Sequence, residues 1–161
     1  MNYHDAELKK ILLNQYSNIF EDELIDEIIK VGYLKSIKNG ELLIDVGDYL
    51  THIPLILKGV VKIMRQDKAG EEIALYYLEA GDTCAISFAN CLNRKQSIFM
   101  GIAEADIEAV FIPVEKVDDW LVKYKTWRHF IIDSYHFRLI EMVDSIDSLA
   151  FMRMEERIWK Y

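Results

Sequence analysis

The sequence predicts an α+β chain: an antiparallel sandwich, barrel or roll, with helices before it and one long helix after it. Three observations carry this. Apolar residues recur at helical spacing up to about residue 33, alternate in twos from 34 to 113 between glycine-marked turns, and return to helical spacing after Pro113. Parallel strands alternating with helices are absent from the pattern, which argues against a Rossmann-like sheet.

Leu8, Ile11, Leu12 and Tyr16 mark a first helix, and Leu24, Ile25, Ile28 and Ile29 a second, with residues 18–22 as the break. In the next region Leu42, Ile44 and Val46 alternate with Glu41, Leu43 and Asp45. Ile73, Leu75 and Tyr77 repeat the pattern, as do Ile107, Ala109 and Phe111. Turn signals stand at Gly40, Gly47-Asp48, Gly59, Asp67-Lys68-Ala69-Gly70 and Gly81-Asp82. Pro113 suits the first turn of a short helix carrying Val117, Trp120, Leu121 and Tyr124.

A longer helix starts near Thr126 and runs at least to Ala150. Along it Ile132, Tyr135, Leu139, Met142, Ile146 and Leu149 fall at alternating steps of three and four, the spacing of a coiled-coil seam. A second row, Ile140, Val143 and Ala150, is expected to face the strands of its own chain. One helix cannot bury both rows on one small domain, so a second copy is expected and a two-fold homodimer is the economical answer. Six seam residues would contribute on the order of 10 kcal/mol per subunit, less the entropy of association.

Composition bounds the function. At 161 residues, with 52% hydrophobic and 29% charged, the chain is one foldable domain in size. No apolar run approaches the ~20 residues of a membrane span, and the N-terminus lacks a signal-peptide pattern, so the expectation is a cytoplasmic protein with no membrane partner. With 19 Lys and Arg against 27 acids and a net charge of −8, the chain itself is poorly suited to nucleic acid. Cys84 and Cys91 form neither a disulfide framework nor a CxxC metal motif. There is no P-loop, GxSxG or HExxH. A cupin-like metal site needs clustered histidines, and the strand region holds only His52. His4-Asp5 and Asp118-Asp119 read as solvated surface. No catalytic and no metal-binding residue is assigned, and the chain is not expected to be an enzyme.

The glycine string is more specific. Asn39-Gly40-Glu41, Val46-Gly47-Asp48, Leu57-Lys58-Gly59-Val60-Val61-Lys62, Asp67-Lys68-Ala69-Gly70-Glu71-Glu72 and Ala80-Gly81-Asp82, in this order and spacing, resemble the cyclic-nucleotide-binding-domain superfamily. Ser148-Leu149-Ala150-Phe151-Met152, followed by Glu155-Glu156-Arg157-Ile158, resembles the join between dimerisation helix and DNA-binding domain in CRP/FNR regulators. The resemblance covers residues 33–161. It implies a β-roll of the double-stranded β-helix or jelly-roll type. Residues 1–125 would hold N-terminal helices and sensor roll, residues 126–152 the dimerisation helix, and residues 153–161 the start of a helix-turn-helix domain that this sequence lacks. DNA would be met only through that further part. The alternative is a stand-alone module of this fold acting through protein–protein contacts.

In members that bind cyclic AMP, Gly-Glu and then Arg-Ser follow the Gly-Asp turn. An ungapped alignment from Gly81-Asp82 puts Ala85 and Ile86, then Gln96 and Ser97, at those positions, so both charged contacts are missing. If the stretch is a strand, Lys95 points to the opposite face and Arg94 lies ~7 Å along it. Met142 and Val143 stand where such members place hydroxyls on the long helix. The candidate effector pocket is therefore Thr83, Cys84, Ala85, Ile86, Ser87, Gln96, Ser97, Met142 and Val143. Cyclic AMP is not expected there, and the effector and any cofactor stay open. Cys84 and Cys91 read either as a thiol sensor or as two small apolar core residues. Cysteines for an iron–sulfur cluster are lacking near the N-terminus. For haem, His52, His129 and His136 are the available ligands. The expected mechanism is allosteric: a change in the pocket repositions the helix bearing Met142 and Val143, and with it the seam.

Overall fold

The computed structural model describes residues 3–160. Two helices, α1 (Tyr3–Tyr16) and α2 (Asp22–Val31), precede five strands: β1 (Tyr33–Ile37), β2 (Leu42–Ile44), β3 (His52–Lys58), β4 (Val61–Gln66) and β5 (Glu72–Leu78). A short helix, α3 (Ala85–Leu92), interrupts them before β6 (Met100–Ala103) and β7 (Ile107–Pro113). Two helices follow, α4 (Val114–Lys123) and α5 (Lys125–Trp159). The predicted α+β roll with flanking helices and a long C-terminal helix is the fold observed.

The strands form two antiparallel sheets, β1-β7-β3 and β2-β6-β4-β5. β7 is central in the first and buries both of its faces. Ile107, Ala109 and Phe111 point into the roll, where they meet Ile37, Ile44, Ile56, Val61, Ile63 and Leu78. Val110 and Ile112 point the other way, into a second core with Ile53, Leu55 and Leu57 of β3 and the apolar faces of α1, α2 and α4. The helical core is strongly aromatic. Tyr16 stacks on Phe20 at 5.1 Å between centroids, and Trp120 meets Trp127 edge-on at 5.3 Å. Such pairs contribute about 0.5–1.5 kcal/mol each beyond their burial.

The tightest glycine requirement falls at Gly59, between β3 and β4. Its φ is +93°, and a Cβ there would stand 2.5 Å from the Asp106 carbonyl oxygen, so only glycine fits. Gly81 (φ +96°) turns the chain from β5 toward α3 and lets Asp82 accept the Glu79 amide at 2.8 Å.

Three details depart from the sequence expectation. The region from 34 to 113 is not all strand: residues 85–92 are helical and 93–99 irregular, so the strand geometry assumed for Arg94 and Lys95 does not apply. Arg94 adopts φ +52°. On β5 the alternation marks a strand but not its inward face. Ile73, Leu75 and Tyr77 are exposed, while Leu78 faces the core, because Tyr76 and Leu78 pair with the buried Ile63 and Val61 of β4. Finally, the second row of α5, Ile140, Val143 and Ala150, is exposed rather than packed on its own roll. That helix meets the roll on a different face.

Candidate functional site

Two features of α5 define the site: the cleft it forms with the roll, and the apolar surface it leaves uncovered. At its start α5 is fixed by Trp127 and Ile131, both in the helical core, with the Trp127 indole N–H donating to the Val117 carbonyl at 3.1 Å. Further along, Phe130, Asp133, Ser134, Phe137, Arg138 and Glu141 turn toward the roll at the three-and-four spacing of one helix face. They enclose two cavities. One, of about 190 Å³, lies between this face and Gly81, Asp82 and Thr83. The other, of about 420 Å³, lies between Phe137, Arg138, Glu141 and residues of β5 together with Glu79 and Asp82. Asp82, Phe137 and Arg138 line both.

Arg138 is the hub. Its guanidinium lies 4.2 Å from the Tyr76 ring centroid and 5.2 Å from that of Phe137. Nη1 donates to Glu141 Oε2 at 2.8 Å, Nη2 donates to the Tyr77 carbonyl at 3.3 Å, and Asp82 Oδ2 stands 3.7 Å away. The ring of Tyr76 is itself partly buried. Burial first, and the nearby Cys84 second, push its phenol well above the usual range, so it stays neutral. Tyr16, whose buried hydroxyl has no partner, is pushed up by burial and then by the Asp82 carboxylate.

The predicted pocket residues are only partly brought together. Thr83 lines the smaller cavity, and its hydroxyl donates to the Pro54 carbonyl at 2.9 Å. Cys84, Ala85 and Ser87 are buried beneath it, Ile86 is half-buried, and the Cys84 thiol and Ser87 hydroxyl are hydrogen-bonded at 2.9 Å. Gln96 is exposed on the loop after α3. Ser97 is buried and donates to the Phe99 carbonyl at 2.9 Å, away from α5. Met142 and Val143 are exposed on α5, past the last residue that faces the cleft. The contact between helix and roll thus lies about one turn earlier than the count back from residues 149–151 placed it. Sequence reasoning missed Arg138. Its one signal is a cation beside Phe137, among spacings shared with Phe130 and Ser134.

The two thiols lie apart. Cys84 belongs to the roll core and Cys91 to the helical core. Seven residue steps along α3 and its N-cap separate them, about 10 Å of helix rise, beyond the ~7 Å Cα limit of a disulfide. Burial pushes the Cys91 thiol up to about 11. His129 and His136 are exposed on α5. His52 sits on β3 against Tyr33, its Nδ1 2.8 Å from the Thr51 hydroxyl. Among the described residues no three His, Cys, Asp or Glu side chains gather as metal ligands, and no helix is long and apolar enough to cross a membrane.

The seam positions Ile132, Tyr135, Leu139, Met142, Ile146 and Leu149 are all exposed, from 37% at Tyr135 to 61% at Ile146. Beyond Glu141 every described residue of α5 is exposed, on both rows. The helix runs without interruption to Trp159.

A roll of two antiparallel sheets, a short helix after a Gly-Asp turn and a long C-terminal helix define the class of fold. The profile of the cyclic nucleotide-binding domain matches residues 34–124, and the chain belongs to that family. It is 24% identical over 112 residues to the global nitrogen regulator of Synechocystis sp., a match covering 70% of this chain and 50% of that protein. The chain therefore spans about half the length of the curated relatives it matches. Among solved structures, the catabolite activator protein of Thermus thermophilus superposes with a TM-score of 0.66 at 20% identity, over 81% of this chain and 61% of that one. The c-di-GMP-responsive global regulator CLP of Xanthomonas campestris does so with a TM-score of 0.69 at 14% identity, over 81% and 65%. These two likenesses show a shared fold.

Proposed function

We propose that this chain is the effector-sensing and dimerisation part of a CRP/FNR-type transcription regulator whose pocket has lost the charged contacts for cyclic AMP. The observation that carries this is the uncovered apolar surface of α5, a helix anchored to the roll at one end only. Five of the six seam residues, all but Tyr135, are more than half exposed in the single chain, an apolar row at heptad spacing that a two-fold pair would cover. The regulator relatives support the wider role. DNA contact belongs to a part of such proteins outside this sequence, in keeping with its net charge of −8.

On the effector side, a cyclic phosphate needs a fixed cation as well as helix-terminal amides. Position 96 is an exposed glutamine and the Ser97 hydroxyl is already engaged. Arg138, the one buried cation among the described residues, is held by Glu141, Asp82 and Tyr77. The cleft between α5 and the Gly81-Asp82 turn is suited to a ligand other than a cyclic nucleotide, or to none.

Two measurements test the reading. Light scattering at micromolar concentration is expected to give twice the chain mass. Calorimetric titration with cyclic AMP and cyclic GMP is expected to give no saturable heat. A monomer removes the dimerisation role, and micromolar binding of either nucleotide removes the claim about the pocket.

A further inference from the structure

Arginine is among the residues least often buried, and when buried it is paired. Arg138 is only 9% exposed, yet its neighbours Phe137, Leu139 and Ile140 are all exposed. It is the one buried side chain of α5 after Ile131 among the described residues. The helix at this point is uncovered, so the burial comes from the side chain reaching into the roll. What it reaches is built from three separate segments. β5 supplies the Tyr76 ring and the Tyr77 carbonyl, the turn after β5 supplies Asp82, and the next turn of α5 supplies Glu141. The turn is itself braced, because the Asp82 carboxylate also accepts the Glu79 amide.

We infer that Arg138 is a bolt that sets the direction in which α5 leaves the roll, and that movements of the Asp82 turn or of Tyr76 reach α5 through it. The planar guanidinium matters for this. One face stacks on an aromatic ring while its edge donates to a carbonyl and a carboxylate at once, a combination the point charge of a lysine cannot supply. Tyr76 packs against the roll core beside Cys84, and Asp82 precedes Thr83 at the smaller cavity. Both partners therefore sit where a change inside the roll is felt first. The regulatory consequence rests on the sensor reading above; the mechanical role does not.

The test is hydrogen exchange read by mass spectrometry on the whole chain. Arg138→Met keeps the apolar stem and removes the charge. It is expected to speed exchange at residues 79–83 and 137–141 by at least about ten-fold, with α2 unchanged, as for a local opening. Arg138→Lys is expected to fall on the side of the methionine variant. Asp82→Asn alone is expected to loosen residues 137–141, and to add nothing in the Arg138→Met background, which separates a bolt from two independent contacts. Wild-type exchange in Arg138→Met overturns the inference, as does an Asp82→Asn effect that persists undiminished in that background. Should Arg138→Met fail to fold, wild-type exchange in both Arg138→Lys and Asp82→Asn overturns it instead. The probes lie within one chain, so a wild-type protein found monomeric defeats the dimer reading and leaves this measurement interpretable.

Discussion

Replacing Ile146 with aspartate tests the seam at its most exposed position. Ile146 is 61% exposed in the single chain. Pairing along α5 would then recover about 0.6 of the ~1.5–3 kcal/mol available from burying such a side chain, or ~1–2 kcal/mol per copy. A two-fold interface contains the residue twice, so the loss is ~2–4 kcal/mol per dimer, a roughly 30-fold to 700-fold weaker dissociation constant. Placing two carboxylates in an apolar seam adds desolvation and mutual repulsion, which makes this a lower bound. Sedimentation velocity over a dilution series reads the shift directly. The control is Val122→Asp on α4, which is 86% exposed and lies outside the α5 rows, and which should leave the equilibrium where it was. An Ile146→Asp protein with the wild-type dissociation constant refutes the seam assignment. Equal weakening by both substitutions refutes it too, because it would point to a general loss of structure.

Three further outcomes follow from the packing. Gly59→Ala should destabilise the fold by about 2–3 kcal/mol in denaturant melts, since both φ +93° and the Asp106 carbonyl oppose a Cβ; Gly40→Ala, with open space around it, should cost only about 1 kcal/mol. Native protein should react slowly with iodoacetamide at pH 8, because both thiols are buried and Cys91 is pushed up to about 11, and rapidly once unfolded; fast native labelling would return the thiol-sensor reading. Glu27 is held below its usual 4.5, chiefly by the hydrogen bond from Lys123. The stability from that pair is present above the unfolded carboxylate value and is lost as pH falls through the lower folded one. Lys123→Met should therefore flatten the acid side of a melting-temperature profile, and an unchanged acid slope would show the pair to be inert.

How far the sequence could be read depended on whether one period dominated a segment. α2, α4 and α5 were legible because Leu24, Ile25 and Ile28, or Val117 and Trp120, repeat at helical spacing with polar residues between them. Residues 85–92 carry no such contrast. Ala85, Ile86, Phe88, Ala89, Cys91 and Leu92 give an apolar stretch of strand length, where helix and strand have the same signature. β5 failed differently. It is apolar on both faces, so alternation located the strand and could not choose its inward side; the register with β4 chose it. The seam was legible, but the second row was given to the wrong neighbour. The side of α5 that meets the roll is set by Trp127, Ile131 and Arg138, and a lone arginine does not announce itself as an inward residue.

Geometry along α5 joins these observations. Successive residues of an α-helix point about 100° apart. Arg138, fixed in the roll, therefore directs its neighbour Leu139 about 100° around the axis, and Leu139 is a seam position. Phe137 and Glu141 stay on the roll side with Arg138, while Met142 and Ile146 continue the seam with Leu139. The face that holds the helix and the face offered to a second copy do not compete, so the helix can be bolted and paired at once. They are nevertheless parts of one rigid rod. Any event that lets the Arg138 side turn away from Tyr76 and Asp82 must turn Leu139, Met142 and Ile146 by the same angle. A cleft of a few hundred cubic ångströms beside the bolt is thereby connected to an apolar surface that extends some five turns along the helix, without a hinge between them.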